Sequence, residues 1–330
     1  MRKRGIGIGC MFYGIGYGFS RPDIGAATIE ICEDGSVIVR SGEVDYGQGS
    51  DTIFCQIVAE ELGIRYDDIQ MVTADTFTTP NAGPSSASRI TYVTGNAMLK
   101  ASRALKQTMK KVAEDALGAR DLVFVDEEIH SEVQPEKKIT FKKLAKECHN
   151  RGLQMVETAW HDNTTKDVDR DTGQGDAYSA YAYAAQLAEV EVDTETGKVE
   201  VLRLVSATDA GRAINPSSVE GQIEGGALMG IGYALTEEMK VEGGHLKTKS
   251  LGEYMIPTSL DIPKIEPYII EVPASRGPYG AKGVGEPALI PTTPAILNAI
   301  ANALDIRVTD LPANLENLHR LIRDQEKAKK

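Results

Sequence analysis

One segment near the C-terminus has the residue types of a catalytic loop: Gly280-Ala281-Lys282-Gly283-Val284-Gly285-Glu286-Pro287-Ala288. Glycine lets a backbone take positive φ angles or lie against a ligand, and proline disfavours helical geometry in the residue before it. We therefore expect Glu286 to be held outside a helix, beside bare backbone, where its carboxylate can act as a general base. The same spacing is also compatible with a solvated turn whose glutamate points at water.

Two other segments, rich in glycine or serine, each precede a helix. Gly47-Gln48-Gly49 comes before a helix predicted at residues 52–62, with Ser50 or Asp51 as its N-cap. Ser85-Ser86-Ala87-Ser88 comes before a second, longer helix. Free backbone N–H groups at the positive end of a helix dipole suit an anionic or heterocyclic ligand. Turn geometry and helix capping alone would also explain both segments.

The N-terminal segment alternates glycine with apolar residues from Gly5 to Gly18. This alternation predicts a buried strand that another backbone or a ligand approaches closely. The segment includes Gly7-Ile8-Gly9, but no helical pattern follows, so a dinucleotide-binding fingerprint is not indicated. Tyr13 and Tyr17 are candidates for lining a planar pocket, and filling a core or an interface is the alternative.

A helix predicted at residues 217–238 carries glycines in its interior, at positions 221, 225, 226, 230 and 232. Each interior glycine destabilises a helix by roughly 1 kcal/mol relative to alanine. We therefore expect this helix to pack closely against another backbone or against a cofactor.

The remaining pattern mixes strands and helices. Asp34-Gly35 lies between two β-branched runs and predicts a hairpin, and residues 193–198 form the turn of a second strand pair. Residues 59–69 resemble residues 301–311 in pattern, which suggests an internal repeat.

We therefore predict an α+β fold made of two related α+β subdomains. The first spans residues 1–130 and the second, with the Glu286 loop, spans residues 177–330. A connection at residues 131–176, mostly polar but with a short helix around residues 140–151, is expected to join them.

The composition and charge of the whole chain argue against several functional classes. Its 330 residues have a formal net charge of −12, which argues against nucleic acid and acidic membranes as partners. No apolar run is long enough to span a bilayer, so we expect a cytoplasmic protein. The cysteines are widely spaced, and we expect this chain to bind no metal or iron–sulfur cluster directly.

In this order, the motifs resemble the molybdenum-binding part of the xanthine dehydrogenase and aldehyde oxidase family of molybdenum hydroxylases. The resemblance covers nearly the whole chain and implies the second half of a cofactor-binding domain. Each motif is weak alone, but their shared order is specific: Asp34-Gly35-Ser36-Val37, Gly47-Gln48-Gly49, residues 75–95, Asn215-Pro216, Gly221-Gln222, Gly225-Gly226 and Gly283-Val284-Gly285-Glu286-Pro287.

The resemblance implies roles for individual residues. Glu286 matches the active-site base beside molybdenum, and Tyr13 and Tyr17 match a region that lines the substrate pocket. Molybdopterin cytosine dinucleotide is expected to be held by the following residues: Tyr46, Gly47, Gln48, Gly49, Ser85, Ser86, Ala87, Ser88, Arg89, Lys282, Gly283, Val284 and Gly285. Met229 is a departure, because many members carry glutamine there, and the pterin contact at that position stays open.

The resemblance also implies partner subunits. These would carry the first half of the molybdenum domain, a [2Fe-2S] cluster and FAD. Within the family, the length and the separate chain are similar to nicotinate dehydrogenases. That likeness implies hydroxylation of a small heteroaromatic substrate, nicotinate, to 6-hydroxynicotinate, with NADP as final acceptor and sulfur or selenium on molybdenum.

Other functions stay open at this point. Purine and aldehyde hydroxylases share these loops, so they are alternatives to a pyridine hydroxylase. A non-catalytic assembly paralogue would keep the fold without turnover, but Glu286 together with the cofactor loops favours an enzyme. A free-standing nucleotide-binding protein is disfavoured, because no P-loop or Rossmann fingerprint is found.

Overall fold

The structure is a computed structural model that describes residues 1–328. Its strands are β1 (Arg2–Gly14), β2 (Ile24–Ile31), β3 (Val37–Ser41), β4 (Ile69–Thr73), β5 (Leu122–Val125), β6 (Glu128–Ser131), β7 (Lys138–Thr140), β8 (Val156–Asp162), β9 (Tyr181–Asp193), β10 (Val199–Asp209), β11 (Val241–Glu242), β12 (His245–Leu246) and β13 (Lys264–Ile270). Its helices are α1 (Ser50–Leu62), α2 (Ile90–Leu117), α3 (Phe141–Asn150), α4 (Pro216–Leu235), α5 (Leu251–Tyr254), α6 (Gly285–Leu289), α7 (Thr292–Leu304) and α8 (Leu315–Ala328). The predicted α+β class is confirmed.

The chain forms two compact units, each discontinuous in sequence. The first unit contains Met1–Tyr13, Tyr181–Val272 and the chain from Val284 onward, and the second contains Gly14–Ala180 and Pro273–Gly283. The predicted subdomains, residues 1–130 and 177–330, are continuous stretches. In the structure, the short segments 1–13 and 273–283 instead pack with residues distant in sequence.

The first unit is built on a four-stranded sheet with the order β1-β9-β10-β13. The strands β9 and β10 are antiparallel, as the turn at residues 193–198 predicted, and β13 runs parallel to β10. Helices α4, α7 and α8 bury apolar side chains together with this sheet, including Val190, Leu204, Ile231 and Ile300.

The glycines of β1 let the helix α7 lie directly on the strand. A Cβ atom at Gly5 would lie 2.1 Å from the carbonyl oxygen of Ala299, and one at Gly7 would lie 2.1 Å from the nitrogen of Ala299. A side chain at either position would therefore collide with the helix backbone. The predicted close approach of another backbone is confirmed, although the strand ends at Gly14 rather than at Gly18.

The second unit contains a sheet with the order β4-β3-β2-β8, against which α2 packs. The strands β2 and β3 are antiparallel, with Ile31 opposite Val37. Gly35 has a φ of 89° in the turn between them, which confirms the hairpin predicted from Asp34-Gly35. The helix α2 also packs against α1, with Phe54 and Met98 fully buried.

The predicted connection, residues 131–176, contains β7, β8 and the helix α3, which lies where the sequence predicts a short helix. The strands β5, β6 and β7 form an antiparallel sheet that continues into α3. The strand β8 pairs with β2 over residues 156–162. This pairing joins residues about 130 positions apart, so it leaves no local sequence signal.

No helix within residues 1–328 is long and apolar enough to cross a bilayer. In the same described residues, no three histidine, cysteine, aspartate or glutamate side chains come together as a metal-binding group.

Candidate cofactor and active site

The carboxylate of Asp45 shapes the loop before α1. It accepts hydrogen bonds from the backbone N–H groups of Gly47 (2.8 Å), Gly49 (3.3 Å) and Asp51 (3.1 Å). Burial opposes the charge of Asp45, but these N–H groups outweigh burial and hold the pKa of Asp45 below its usual range. The prediction that Ser50 or Asp51 caps α1 is wrong, since the N-cap residue is Gly49 and Asp45 accepts the N–H bonds.

Gln48 uses its amide inside the same loop. Its Oε1 accepts from the backbone N–H of Tyr46 (2.8 Å), and its Nε2 donates to Val44 O (2.9 Å) and Ser50 Oγ (3.0 Å). Gly47 has a φ of 115°, and nothing lies within 4 Å of a Cβ added there. The loop therefore presents the bare backbone of Gly47 and the exposed ring of Tyr46 to its surroundings.

Ser85 connects this loop to the serine-rich loop before α2. Its Oγ accepts from the backbone N–H of Val44 (3.0 Å) and donates to Glu43 Oε2 (3.1 Å). The hydroxyl of Tyr46 donates to the carbonyl oxygen of Ser85 (3.3 Å). Two of the residues predicted to hold a cofactor, Tyr46 and Ser85, are thus in direct contact.

The serine-rich loop has a strained backbone at its end. Ala87 and Ser88 have φ angles of 54° and 48°, a conformation that costs roughly 1–2 kcal/mol for each such residue. Arg89 then returns to right-handed geometry, with φ −88° and ψ −22°, and α2 follows. Backbone that changes hand in this way turns successive N–H groups toward one side, which suits an anion at a helix N-terminus.

Arg89 is fully buried and supports the loop from inside the unit. All five N–H groups of its guanidinium donate hydrogen bonds, to the carboxylates of Asp23 and Glu43 and to the carbonyl oxygens of Pro84, Ile24 and Ala82. No N–H group of the guanidinium is therefore left to donate to a ligand, and Arg89 instead holds the two carboxylates and the three carbonyl groups together.

The two carboxylates that bind Arg89 are buried as well. Glu43 also accepts from Thr94 Oγ1 (2.7 Å), and burial raises the pKa of Glu43 despite the opposing effects of Thr94 and Arg89. Asp23 also accepts from the side chain of Asn163 (3.3 Å). Sequence reasoning missed the roles of Asp23 and Glu43, because their partners are distant in sequence.

Tyr17, a predicted substrate residue, contacts the serine-rich loop. Its hydroxyl lies 2.8 Å from Ser86 Oγ, and its backbone N–H donates to Asp23 (2.9 Å). Its ring also lines a pocket of 340 Å³ beside Trp160 and Pro84. Tyr13 belongs to the first unit and is half-buried.

Gly283 lies against Ser88 within the second unit. A Cβ atom at position 283 would lie only 1.7 Å from the carbonyl oxygen of Ser88. Lys282, beside it, is buried, with 7% of its surface exposed. The structure thus places Gly283 of the C-terminal motif on the serine-rich loop, as expected if both hold one ligand.

Glu286 lies in the first unit, on the short helix α6. It is half-buried and occupies the first turn, followed by Pro287. The prediction that proline keeps Glu286 out of helical geometry is wrong. Proline is tolerated in a first turn, because the N–H groups there have no partner inside the helix.

A buried polar network fixes α6. Gln186 Nε2 donates to the carbonyl oxygen of Ala288 (2.7 Å) and to Ser206 Oγ (3.0 Å), and Thr292 Oγ1 donates to Gln186 Oε1 (2.6 Å). The helix that carries Glu286 is therefore held by the sheet strands β9 and β10 and by the start of α7.

The glycines of α4 explain how α6 and the start of α7 come close. A Cβ atom at Gly226 would lie 2.8 Å from Ala288 Cβ, and one at Gly230 would lie 2.4 Å from Thr292 Cβ. The predicted close packing is confirmed at these two positions. Cβ atoms at Gly221 and Gly225 would meet nothing within 4 Å, and Met229 is 49% exposed.

The family model described as the molybdopterin cofactor-binding domain matches residues 1–263. The chain belongs to this family. The resemblance to molybdenum hydroxylases inferred from the ordered motifs is confirmed by this match and by the relatives.

The chain is 33% identical over 318 residues to one subunit of the probable xanthine dehydrogenase of Bacillus subtilis, covering 96% of this chain and 42% of the relative. It is 31% identical over 334 residues to the gamma subunit of the 6-hydroxypseudooxynicotine dehydrogenase complex of Paenarthrobacter nicotinovorans, covering 100% and 41%. Quinoline 2-oxidoreductase from Pseudomonas putida matches with a TM-score of 0.88 at 27% identity, covering 98% and 42%. The chain thus spans about two fifths of each of these proteins.

Proposed function

We propose that this chain is the cofactor-holding half of a molybdenum hydroxylase that acts on a small N-heteroaromatic ring, nicotinate, to give 6-hydroxynicotinate. One observation carries the proposal. Three sequence-distant segments predicted to hold the cofactor form a continuous series of contacts, from Tyr46 to Ser85 and from Ser88 to Gly283.

These segments suit a pterin dinucleotide, molybdopterin cytosine dinucleotide in this proposal. The N-terminus of α2, which follows the left-handed turn at Ala87 and Ser88, suits a phosphate through its helix dipole. The bare backbone of Gly47 lets a ligand approach without meeting a side chain. When bound, this cofactor supplies the metal centre that accepts the electrons from the substrate.

Glu286 is the general base in this proposal. Its carboxylate takes a proton from the oxygen nucleophile that attacks the ring carbon next to nitrogen. The network of Gln186 with Ala288 and Thr292 fixes the helix beneath it. A base held this way needs little reorganisation to reach its reacting geometry.

The substrate and the electron path belong to the proposal as well. Relatives are named for xanthine and quinoline, whose rings contain nitrogen. The partner subunits would carry the first half of the molybdenum domain, a [2Fe-2S] cluster and FAD. NADP would be the final acceptor, and molybdenum would carry sulfur or selenium.

The chain should be purified with its co-expressed partners. We expect molybdenum, and CMP after hydrolysis of the pterin dinucleotide, in amounts close to one per chain. Nicotinate should then drive NADP reduction faster than xanthine or an aldehyde does. A preference for xanthine would show that nicotinate is not the substrate. A complex without molybdenum or pterin would identify a non-catalytic paralogue.

The role of Glu286 is tested with Glu286→Gln in the same complex. Turnover should fall by about 10²–10⁴-fold, the usual contribution of a general base, while molybdenum and pterin contents stay unchanged. Glu316→Gln, at an exposed position on α8, is the matched control and should retain full activity. Near-normal turnover of Glu286→Gln would remove Glu286 from the mechanism.

A further inference from the structure

The outward face of the β1-β9-β10-β13 sheet has a charged end and an apolar end. At the charged end, the basic and acidic side chains pair with each other across neighbouring strands or along one strand. The pairs are Arg2 and Arg4 with Glu191, and Arg203 and Lys264 with Glu266. Charged side chains of this kind are expected on a sheet face that is exposed to water.

The apolar end of the same face is different, and we call its exposed side chains the apolar patch. Its members and their exposed fractions are Ile6 (55%), Ile8 (57%), Phe12 (64%), Tyr183 (55%), Tyr268 (53%) and Ile270 (44%). Phe12 stacks on Tyr181, with ring centroids 4.5 Å apart, and also contacts Tyr183. The patch is thus an ordered aromatic and aliphatic surface.

The alternation in β1 is the cause of this exposure. Its glycines face α7, where a side chain would collide, so the intervening residues Ile6, Ile8 and Phe12 face outward. At about 200 Å² for each whole side chain, the patch exposes roughly 650 Å² of apolar surface. That is near the upper limit for a monomer and approaches the roughly 800 Å² that each partner buries in a standard interface.

We propose that the apolar patch is the docking surface for the subunit that carries the first half of the molybdenum domain. The inference rests on the proposed function for the identity of this partner. The relatives carry more than half of their length outside the region that this chain matches. That additional polypeptide needs an apolar surface to pack against, and the patch offers one whose neighbouring charges are already paired.

The reactivity of the Cys10 thiol can be used to measure docking. It lies on β1 between Ile8 and Phe12 and is exposed, as they are. In the purified complex, maleimide should label Cys10 at least about tenfold more slowly than in the isolated chain. Cys32, just after β2 in the second unit, is the internal control and should react at the same rate in both.

A charge placed in the patch tests the same inference independently. Ile8→Glu should prevent the partner from co-purifying, while circular dichroism and thermal unfolding show a folded chain. Phe77→Glu makes a comparable change at a side chain that is 97% exposed in the second unit, and its complex should assemble normally. The partner is identified by mass spectrometry as a chain that matches the remaining part of the relatives.

Two outcomes overturn the inference. One is a complex in which maleimide labels Cys10 as fast as in the isolated chain and the Ile8→Glu variant assembles normally. The other is a self-associating chain whose dimers are broken by Ile8→Glu, which would make a second copy the occupant. A protected patch in a complex without molybdenum would instead refute the proposed function and leave the docking surface standing.

Discussion

Gly283 lies so close to the carbonyl oxygen of Ser88 that a Cβ atom added to it would be 1.7 Å from that oxygen. Because the obstacle is backbone, it cannot swing away as a side chain would. We expect Gly283→Ala to lower the free energy of unfolding by about 2–4 kcal/mol, measured by urea denaturation.

Gly221→Ala is the control for that variant. Its added methyl meets nothing within 4 Å, so it should be neutral or stabilising. Equal unfolding free energies for Gly283→Ala and the wild-type chain would show that the serine-rich loop and the Gly283 segment are not packed together.

The guanidinium of Arg89 neutralises two buried carboxylates, and removing it should be costly. We expect Arg89→Ala to destabilise the chain by about 3–5 kcal/mol, because Asp23 and Glu43 are left buried without a cation. Arg103→Ala removes an ion pair with Glu61 from an arginine that is 56% exposed, and should cost less than about 1 kcal/mol. A similar loss in both variants would contradict the buried network.

Neighbouring glycines of α4 should respond in opposite directions to alanine. Gly226→Ala pushes a methyl group into Ala288 and should destabilise the isolated chain by about 1–3 kcal/mol. Gly225→Ala enters open space and should stabilise the helix by up to about 1 kcal/mol. The thermal unfolding temperatures of the two variants, compared with that of the wild-type chain, test this prediction. A higher unfolding temperature for Gly226→Ala than for Gly225→Ala would mean that α4 is rotated about its axis.

The cysteines should fall into two reactivity classes. Burial raises the pKa of the Cys55 and Cys148 thiols to about 11, so both are protonated and shielded at neutral pH. Cys10 is exposed and Cys32 is partly so. Ellman's reagent should therefore detect no more than two thiols in the native chain and four after denaturation. Fast reaction of a third thiol in the native chain would contradict the packing of α1 or α3.

Acid should weaken the sheet of the first unit through Glu266. Hydrogen bonds from Arg203 and Lys264 lower the pKa of Glu266 from 4.5 to about 2. Because the folded chain favours the ionised form, this contribution is complete above pH 4.5 and is lost as the pH falls toward 2. Glu266→Gln should flatten the dependence of stability on pH in that window. Glu200→Gln, at an exposed position on β10, should leave that dependence unchanged.

Local chemistry made some of these features predictable and left others hidden. The Asp34-Gly35 turn and the glycines of β1 and α4 follow from sequence, because the turn or the close approach requires those residue types. The support of the site does not, since Arg89 meets Asp23 and Glu43 across 66 and 46 positions. The prediction that Pro287 keeps Glu286 out of a helix failed for a related reason. A proline is acceptable in the first turn of a helix, and tertiary packing places residues 285–289 in the helix α6.

The pairing of β1 with β9 also sets an order of events during synthesis. Nearly all of the second unit is available once residue 180 has left the ribosome, whereas β1 must wait for a strand that begins at residue 181. Until then the backbone N–H and C=O groups of β1 that pair with β9 have no partner strand. The nascent chain is therefore most exposed to aggregation along β1, and a holding chaperone would bind most usefully there.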